Sequence, residues 1–191
     1  MSASYVPFPL EGHQAAWTTW DGAHEESFTI QWENEGWTAS GIVGREQVQY
    51  VLRLNASFQV RQFLLFRDLD EPDLWLATDG SSRWGEMNGA HRPDLDGCYD
   101  VHLACTPFSF TVPIRRLPLL VGDTADITVA CVDVDTLELV PEHHRYTRLE
   151  SHRWAFSRLD PGAGDERRVS EFDVDDHGLP RDTPDRFRRV V

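Results

Sequence analysis

Polar and apolar residues alternate along much of the chain, which is the pattern of β-strands with one buried face. Residues 27–32 alternate strictly and residues 49–54 more loosely, and both segments carry branched and aromatic side chains that fit a pleated surface. The same signals predict further strands at residues 37–43, 58–66, 74–78, 98–103, 114–117, 126–133, 144–150, 153–157 and 168–174.

Turn-forming residues separate these segments and indicate the fold class. They occur at Asn34-Glu35-Gly36, Asp79-Gly80, residues 160–164 and Asp176-His177-Gly178. Strands spaced by about 8–12 residues favour a mainly β fold. We expect a single large curved antiparallel sheet forming a half-barrel or open barrel, because curling protects sheet edges. No long amphipathic helical stripe is present, so helices should be few and short.

No repeat, low-complexity tract or linker divides the 191 residues. This length is typical of one domain, so residues 1–191 are predicted to form a single domain. The C-terminal residues 180–191 contain two prolines and four arginines. They could form either a strap across the sheet or a frayed end.

The charge distribution narrows the choice of partners. The chain carries 32 acidic and 18 basic residues, every basic one is arginine, and the formal net charge is −14. A field of this sign repels phosphate backbones and anionic lipid surfaces, which argues against nucleic acid and against nonspecific membrane binding. A local arginine cluster could still bind an anion.

Missing signals predict the compartment and the absence of a cofactor. The first 17 residues contain no basic or strongly apolar region of a secretory signal. The aliphatic stretch at Leu119-Leu120-Val121 is far shorter than the ~20 apolar residues of a membrane span. Three cysteines in no tight pattern suit reduced thiols, so we expect a cytoplasmic location.

Nucleotide-binding glycine motifs, a nucleophile elbow and paired Cys-x-x-Cys are absent, so no cofactor is predicted.

One segment carries residues that could perform chemistry. If residues 96–103 are extended, Asp96, Cys98, Asp100 and His102 share one face. With His143 or His144 they could ligate a transition metal. Same-face neighbours lie ~7 Å apart, however, so polar positions lining a pocket or capping a turn are the favoured interpretation, and no metal is predicted.

A second acidic segment imitates the start of a calcium-binding loop. Residues 173–178 have the acidic residues and the glycine of such a loop, but its twelfth position is Pro184 instead of glutamate. We therefore predict a turn there.

Arginines and tryptophans provide the candidate ligand contacts. Consecutive strand residues face opposite ways, so either Arg115 or Arg116 should point inward. It would form a buried ion pair with Asp96 or Asp100, or a fork for a carboxylate, phosphate or sugar hydroxyl. Aromatic side chains would fill the core, or offer a stacking surface for a sugar or an apolar groove for acyl chains. The tryptophans concerned are Trp32, Trp37, Trp75 and Trp84.

Several blocks of sequence resemble the putative glycolipid-binding family of bacterial proteins. The blocks are Ser82-Arg83-Trp84, residues 96–101, Thr106-Pro107-Phe108, residues 113–117, Gly122, Arg145-Tyr146-Thr147, Val174-Asp175, Gly178-Leu179 and Pro184, with weaker matches at Trp32-Glu33, Gly41 and residues 50–53. The resemblance covers nearly the whole chain. It implies a fold similar to periplasmic lipoprotein carriers, in which a strongly curved antiparallel sheet forms a half-barrel with an apolar concave side.

Three hypotheses about function follow. The first is a non-catalytic protein that binds an amphipathic small molecule or lipid, such as a glycolipid, on the concave face of the sheet. Its ligand-binding residues would be Trp84, Asp96, Asp100, Arg115, Arg116, Arg145 and Tyr146. The second is an enzyme that acts on a sugar or small acid through Asp96, Asp100 and His102. The third is a protein-interaction domain, which a narrow cavity filled by its own side chains would favour.

Overall fold

The computed structural model describes residues 5–44, 48–67, 71–159 and 169–191. Within these ranges the mainly β class with few, short helices is confirmed. The strands are β1 (His13–Thr19), β2 (Glu25–Glu33), β3 (Gly36–Val43), β4 (Val48–Asn55), β5 (Val60–Phe66), β6 (Leu74–Thr78), β7 (Trp84–Glu86), β8 (Asp100–Leu103), β9 (Thr124–Val132), β10 (Leu139–Arg148), β11 (Arg153–Arg158), β12 (Ser170–Asp173) and β13 (Phe187–Arg189). One α-helix, α1 (Phe108–Arg116), and one 3-10 helix (Pro93–Leu95) accompany them.

Sheet A is a large antiparallel sheet of eight described strands, in the order β13-β1-β2-β3-β4-β5-β6-β7. The predicted turn between β2 and β3 is confirmed, since Asn34 and Glu35 adopt φ values of 51° and 60°, as in tight hairpins. The Asp79-Gly80 turn is confirmed as well, with Gly80 at a φ of 88°. The turn predicted at residues 160–164 lies outside the described residues.

Sheet B contains β12-β11-β10-β9-β8 in that order and is a strongly curled half-barrel, which confirms the predicted half-barrel. The strands therefore divide between two sheets, where the sequence had suggested one. Strands β8 and β9 pair in parallel. Parallel neighbours cannot be joined by a tight hairpin, and here α1 provides the crossover connection between them.

The strand predicted at residues 114–117 is wrong, because residues 114–116 form the last turn of α1. Seven of the nine helical residues, from Phe108 to Ile114, are buried. Burial on every side removes the one-sided apolar stripe by which an amphipathic helix is recognised. Thr106 Oγ1 accepts a hydrogen bond of 3.1 Å from the Phe108 N–H and so supports the first turn.

The C-terminal segment forms a strand. Strand β13 pairs antiparallel with β1, with Trp17 opposite Arg189 and Thr19 opposite Phe187. Trp17 Nε1 also donates a 2.8 Å hydrogen bond to the carbonyl of Pro180. These contacts fasten residues 180–189 to the edge of sheet A.

Helix α1 packs between the two sheets. Phe108 and Val112 belong to the larger core cluster, together with the buried face of sheet A. Phe110 and Ile114 belong to a second cluster with buried residues of β9, β10 and β11. Trp37 and Trp84 are buried in the larger cluster, and Trp32 packs against it. The buried face of sheet A is thus covered by side chains of the protein itself.

Candidate functional site

Arg116 forms a buried ion pair with Asp100, as the ion-pair alternative predicted. Its Nε and Nη2 atoms donate hydrogen bonds of 3.2 and 2.6 Å to the two carboxylate oxygens. The Asp100 side chain is only 1% exposed. Burial raises the pKa of Asp100, while the Arg116 guanidinium opposes that rise. The bidentate contact occupies the face of the guanidinium fork that an anionic head group would need.

Arg115 leaves the helix in another direction and is held by backbone carbonyl groups. Its Nη1 donates hydrogen bonds to the carbonyls of Val6 (3.1 Å) and His177 (2.6 Å). The guanidinium carbon lies 4.7 Å from the centre of the Phe8 ring and 4.4 Å from that of Phe58. Burial lowers the pKa of Arg115 to about 10. Arg115 therefore joins the N-terminal segment, the described residues 5–12 before β1, to the turn at 176–178.

Tyr146, His102 and His144 place further buried polar groups on the inner face of sheet B. The rings of His102 and His144 lie 4.8 Å apart and nearly perpendicular. Burial is the main reason that the pKa of His102 is well below its usual range, and the neighbouring His144 lowers it further. Burial is also the main reason that the pKa of Tyr146 is well above its usual range, and the Asp100 carboxylate raises it further. The Tyr146 hydroxyl has no hydrogen-bond partner among the described residues. Sheet B thus brings the buried polar side chains of Asp100 and His102 on β8 close to those of His144 and Tyr146 on β10.

Asp96 is separated from this group, and the prediction of one extended face from Asp96 to His102 is wrong. Gly97 has a φ of 88°, which interrupts extended backbone, and strand β8 begins only at Asp100. The Asp96 carboxylate instead lies 2.9 Å from Nε2 of the exposed His91. The shared face that motivated the enzyme hypothesis is therefore reduced to Asp100 and His102.

The residues weighed as metal ligands are likewise divided. His144 is on the inner face beside His102, whereas His143 contacts Thr128 at 3.1 Å on the exposed face. Cys98 is buried in the core, and its backbone carbonyl accepts a 2.9 Å hydrogen bond from Trp84 Nε1. In the described part of the chain no group of three or more His, Cys, Asp and Glu side chains is placed to hold a metal.

The other predicted contact residues also have protein partners. Trp84 is 1% exposed and belongs to the core. Arg145 forms an exposed bidentate pair with Asp126, both hydrogen bonds measuring 2.7 Å. Arg145 and Tyr146 point to opposite faces of β10, as adjacent strand residues must. The turn predicted at 176–178 is confirmed, and Asp175 Oδ1 accepts hydrogen bonds from the His177 and Leu179 amides.

Two cavities near these residues are small. One of about 40 Å³ is lined by Arg116, Tyr99 and Cys98 on one side and by residues of β5 and of the 78–82 loop on the other. Another, of about 10 Å³, lies beside Glu26 and Trp17. Ligand sites for drug-sized molecules usually have volumes of several hundred Å³, so neither cavity has room for an acyl chain.

A groove of suitable size lies at the β6–β7 edge of sheet A. It has a volume of about 570 Å³ and is lined by residues 71–76 and 86–88, which belong to β6, β7 and the segments next to them. Leu74, Trp75 and Met87 supply apolar surface, and the Met87 side chain is among the most exposed large apolar groups, at 68%. Glu71 and Glu86 add carboxylates. This mixture offers an apolar surface beside hydrogen-bond acceptors.

The sequence model of a family described as "Putative glycolipid-binding" matches residues 14–189 of the chain. The chain belongs to this family. The crystal structure of a DUF1089 family protein from Pseudomonas aeruginosa, at 1.80 Å resolution, is similar to this member of the glycolipid-binding family, with a TM-score of 0.68 and 26% sequence identity. The match covers 97% of this chain and 95% of that one. No curated protein matches the chain. The family description supports a binding role.

Several sequence blocks that resemble the glycolipid-binding family contact one another in the structure. The Gly97 N–H donates a 2.9 Å hydrogen bond to the carbonyl of Ser82, next to the Trp84 to Cys98 bond. Gly178, with a φ of 80°, lies against Arg115, where a Cβ atom would be 3.4 Å from Cγ of that arginine. These blocks join the crossover helix, the C-terminal turn and the edge of sheet A, so they hold the family fold together.

The groove residues of this glycolipid-binding family member were largely missed by sequence reasoning. Only Trp75 had been singled out, as one of four tryptophans that could pack or stack. A usable signal was present: the apolar run Leu74-Trp75-Leu76 follows Glu71 and Asp73 directly. Glu86, Met87 and Asn88 gave no sign of belonging to the same site, because only the pairing of β6 with β7 brings them there. No helix among the described residues is long and apolar enough to cross a membrane.

Proposed function

We propose that this protein binds an amphipathic, lipid-like ligand with a sugar head group, and that it does so without catalysing a reaction. The observation that carries the proposal is the groove of about 570 Å³ at the β6–β7 end of sheet A, in which apolar and polar side chains lie side by side. The family description supports the same class of ligand.

The apolar part of the ligand would lie against Trp75 and Met87. Trp75 is on β6, the second strand from the edge of sheet A, where it pairs with Leu64 of β5. Met87 is on the segment after β7, where its flexible thioether side chain can adapt to a chain of varying shape. Burial of apolar surface would provide most of the affinity.

The head group would be recognised by the polar lining. Carboxylates of Glu71 and Glu86 accept hydrogen bonds from hydroxyl groups, and the Asn88 amide can both donate and accept. A tryptophan face beside such groups is suited to a sugar ring, because the ring presents C–H groups on its faces and hydroxyls at its edge. The groove has the two kinds of surface that a glycolipid requires.

The proposal places the ligand away from the arginine pair named by sequence reasoning. Arg115 and Arg116 have their hydrogen bonds with Val6, His177 and Asp100. A ligand head group at Arg116 would have to displace a carboxylate that is itself buried, which would leave that charge without its partner.

Calorimetric titration with decyl glucoside, below its critical micelle concentration, tests the proposal. We expect saturable binding to the wild type and at least about tenfold weaker binding to Trp75→Ala, since a large apolar contact is lost. Trp20→Ala is the matched control, because Trp20 is also partly exposed but lies outside the groove, beneath Arg188. Organic extraction of the purified protein followed by mass spectrometry should recover an amphiphile in near-stoichiometric amount. Equal binding by the wild type and Trp75→Ala would overturn the proposed site.

A further inference from the structure

The groove carries an excess of carboxylates, which bears on the head groups that it accepts. Three of its lining residues are acidic, Glu71, Asp73 and Glu86, and none of the described lining residues is basic. The Asp73 side chain is 19% exposed and that of Glu86 is 39% exposed, so neither is screened fully by water. A ligand head group in the groove therefore lies close to three carboxylates.

Two arginines reach these carboxylates, and both already have several protein partners. Arg67 Nη2 donates a 3.2 Å hydrogen bond to Asp73, and its Nη1 donates to the carbonyl of Asp135 at 2.9 Å. Arg92 donates to Glu86 at 3.3 Å and makes a bidentate contact with Asp94 at 3.0 and 2.7 Å. An incoming anion would have to compete with carboxylates for both guanidinium groups.

The rest of the molecule does not reverse this field. The chain has no lysine, and its formal net charge is −14. The arginines that might have formed an anion fork elsewhere are engaged, Arg116 by Asp100 and Arg145 by Asp126. Long-range attraction of an anionic amphiphile is therefore absent, and its approach to the groove is opposed.

We infer that the groove selects amphiphiles with a neutral, hydroxyl-rich or a cationic head group and discriminates against those with a phosphate or sulfate head group. The inference rests on the proposed function and adds the charge class of the ligand. The groove carboxylates repel a phosphate or sulfate head group, whereas the hydroxyl groups of a neutral head group donate hydrogen bonds to the same carboxylates.

Three amphiphiles with the same decyl chain test this inference: decyl glucoside, decyltrimethylammonium and decyl phosphate, each titrated below its critical micelle concentration at low ionic strength. We expect the first two to bind and decyl phosphate to bind at least about tenfold more weakly, because tenfold corresponds to about 1.4 kcal/mol, a realistic repulsion at a surface site. Added salt should narrow the difference, since it screens exposed charges.

Charge-neutral variants assign the selectivity to the groove. The double variant Glu71→Gln/Glu86→Gln should reduce the preference for decyl glucoside over decyl phosphate by about threefold or more, since two repulsive charges are removed. Glu33→Gln is the matched control, because Glu33 is an exposed carboxylate at the end of β2, outside the groove, and it should leave the preference unchanged.

The outcomes separate the two proposals. If all three amphiphiles bind with equal affinity and Trp75→Ala weakens all of them, the charge inference is overturned and the proposed site stands. Decyl phosphate binding as tightly as decyl glucoside in the wild type is the decisive contrary result. If none of the three binds, or Trp75→Ala weakens none of them, the proposed function itself fails and the inference fails with it.

Discussion

The hydroxyl of Tyr50 donates a 2.6 Å hydrogen bond to Oε1 of Glu26, deep beneath sheet A. Thr106 donates a second one, of 2.7 Å, to the same oxygen, and Oε2 has no partner among the described residues. Glu26 is 3% exposed. Burial raises the pKa of Glu26 from 4.5 to about 7, although both hydroxyl groups lower it. A carboxyl group with this environment takes up a proton near neutral pH.

This relationship predicts how stability depends on pH. The folded state holds the Glu26 proton more tightly than the unfolded chain, so this group favours folding below pH 4.5 and loses that effect as pH rises through about 7. The full change corresponds to roughly 3 kcal/mol. Urea unfolding at pH 5 and pH 8 should show that Glu26→Gln lacks this fall in the free energy of unfolding. Glu25→Gln, at the exposed neighbour, should behave like the wild type, and an unchanged pH dependence in Glu26→Gln would contradict the assignment.

Gly41 makes the contact between Tyr50 and Glu26 possible. A Cβ atom at position 41 would lie 2.4 Å from Cε1 and 2.6 Å from the hydroxyl oxygen of Tyr50. Gly41→Ala should therefore displace the tyrosine ring and lower the free energy of unfolding by about 1–3 kcal/mol. Thermal or urea denaturation measures the effect. Combining Gly41→Ala with Tyr50→Leu should cost less than the sum of the two single changes, because the smaller side chain removes the clash. Additive effects would mean that the two residues do not interact.

Alternation along the chain was sufficient to predict much of sheet A. Residues 74–78 coincide with β6, and the alternating segments 27–32, 37–43 and 49–54 fall within β2, β3 and β4. Strand β1 (His13–Thr19) was missed, since its two adjacent alanines weaken the alternation. Helix α1 was misread because its β-branched and aromatic residues are buried on every side. Local pattern identifies a buried face, whereas it cannot show that a segment is covered on both sides.

The candidate site was harder to predict than the strands. The ion pair between Arg116 and Asp100 had been considered, because an inward arginine needs a partner. The groove was out of reach, since Trp75 and Met87 come together only through the pairing of short edge strands. Likewise, the positive φ of Gly97 decides that Asp96 and Asp100 face different surroundings. Features that depend on which strand ends a sheet, or on one residue's backbone angle, leave little trace in periodicity.

The ion pair of Arg116 and Asp100 should contribute more to stability than that of Arg145 and Asp126. Arg116→Leu leaves a carboxylate that is 1% exposed without its guanidinium, which typically costs about 3–5 kcal/mol. Arg145→Leu breaks a pair whose side chains are 40% and 48% exposed, and should lower the free energy of unfolding much less. Urea unfolding of both variants gives the comparison. Adding Asp100→Asn to Arg116→Leu should recover part of the loss, and equal effects of the two arginine changes would show that burial does not control the pair.

Arg115 should hold the N-terminal segment in place. Its guanidinium lies over the rings of Phe8 and Phe58 and donates hydrogen bonds to the carbonyls of Val6 and His177. Arg115→Met keeps much of the apolar packing but removes both hydrogen bonds and the cation–π contacts, so the free energy of unfolding should fall by about 1–3 kcal/mol.

Hydrogen exchange distinguishes this local role from a general loss of stability. The Val6 N–H donates a 2.8 Å hydrogen bond to the Asp176 carbonyl, and its exchange should accelerate in Arg115→Met more than that of amides in the centre of sheet A. Arg188→Met is the control, because the guanidinium carbon of Arg188 also lies over an aromatic ring, at 4.2 Å from the ring centre of the partly exposed Trp20. Uniform acceleration across the chain would show that Arg115 supports the whole core and has no special connection to the segment it touches.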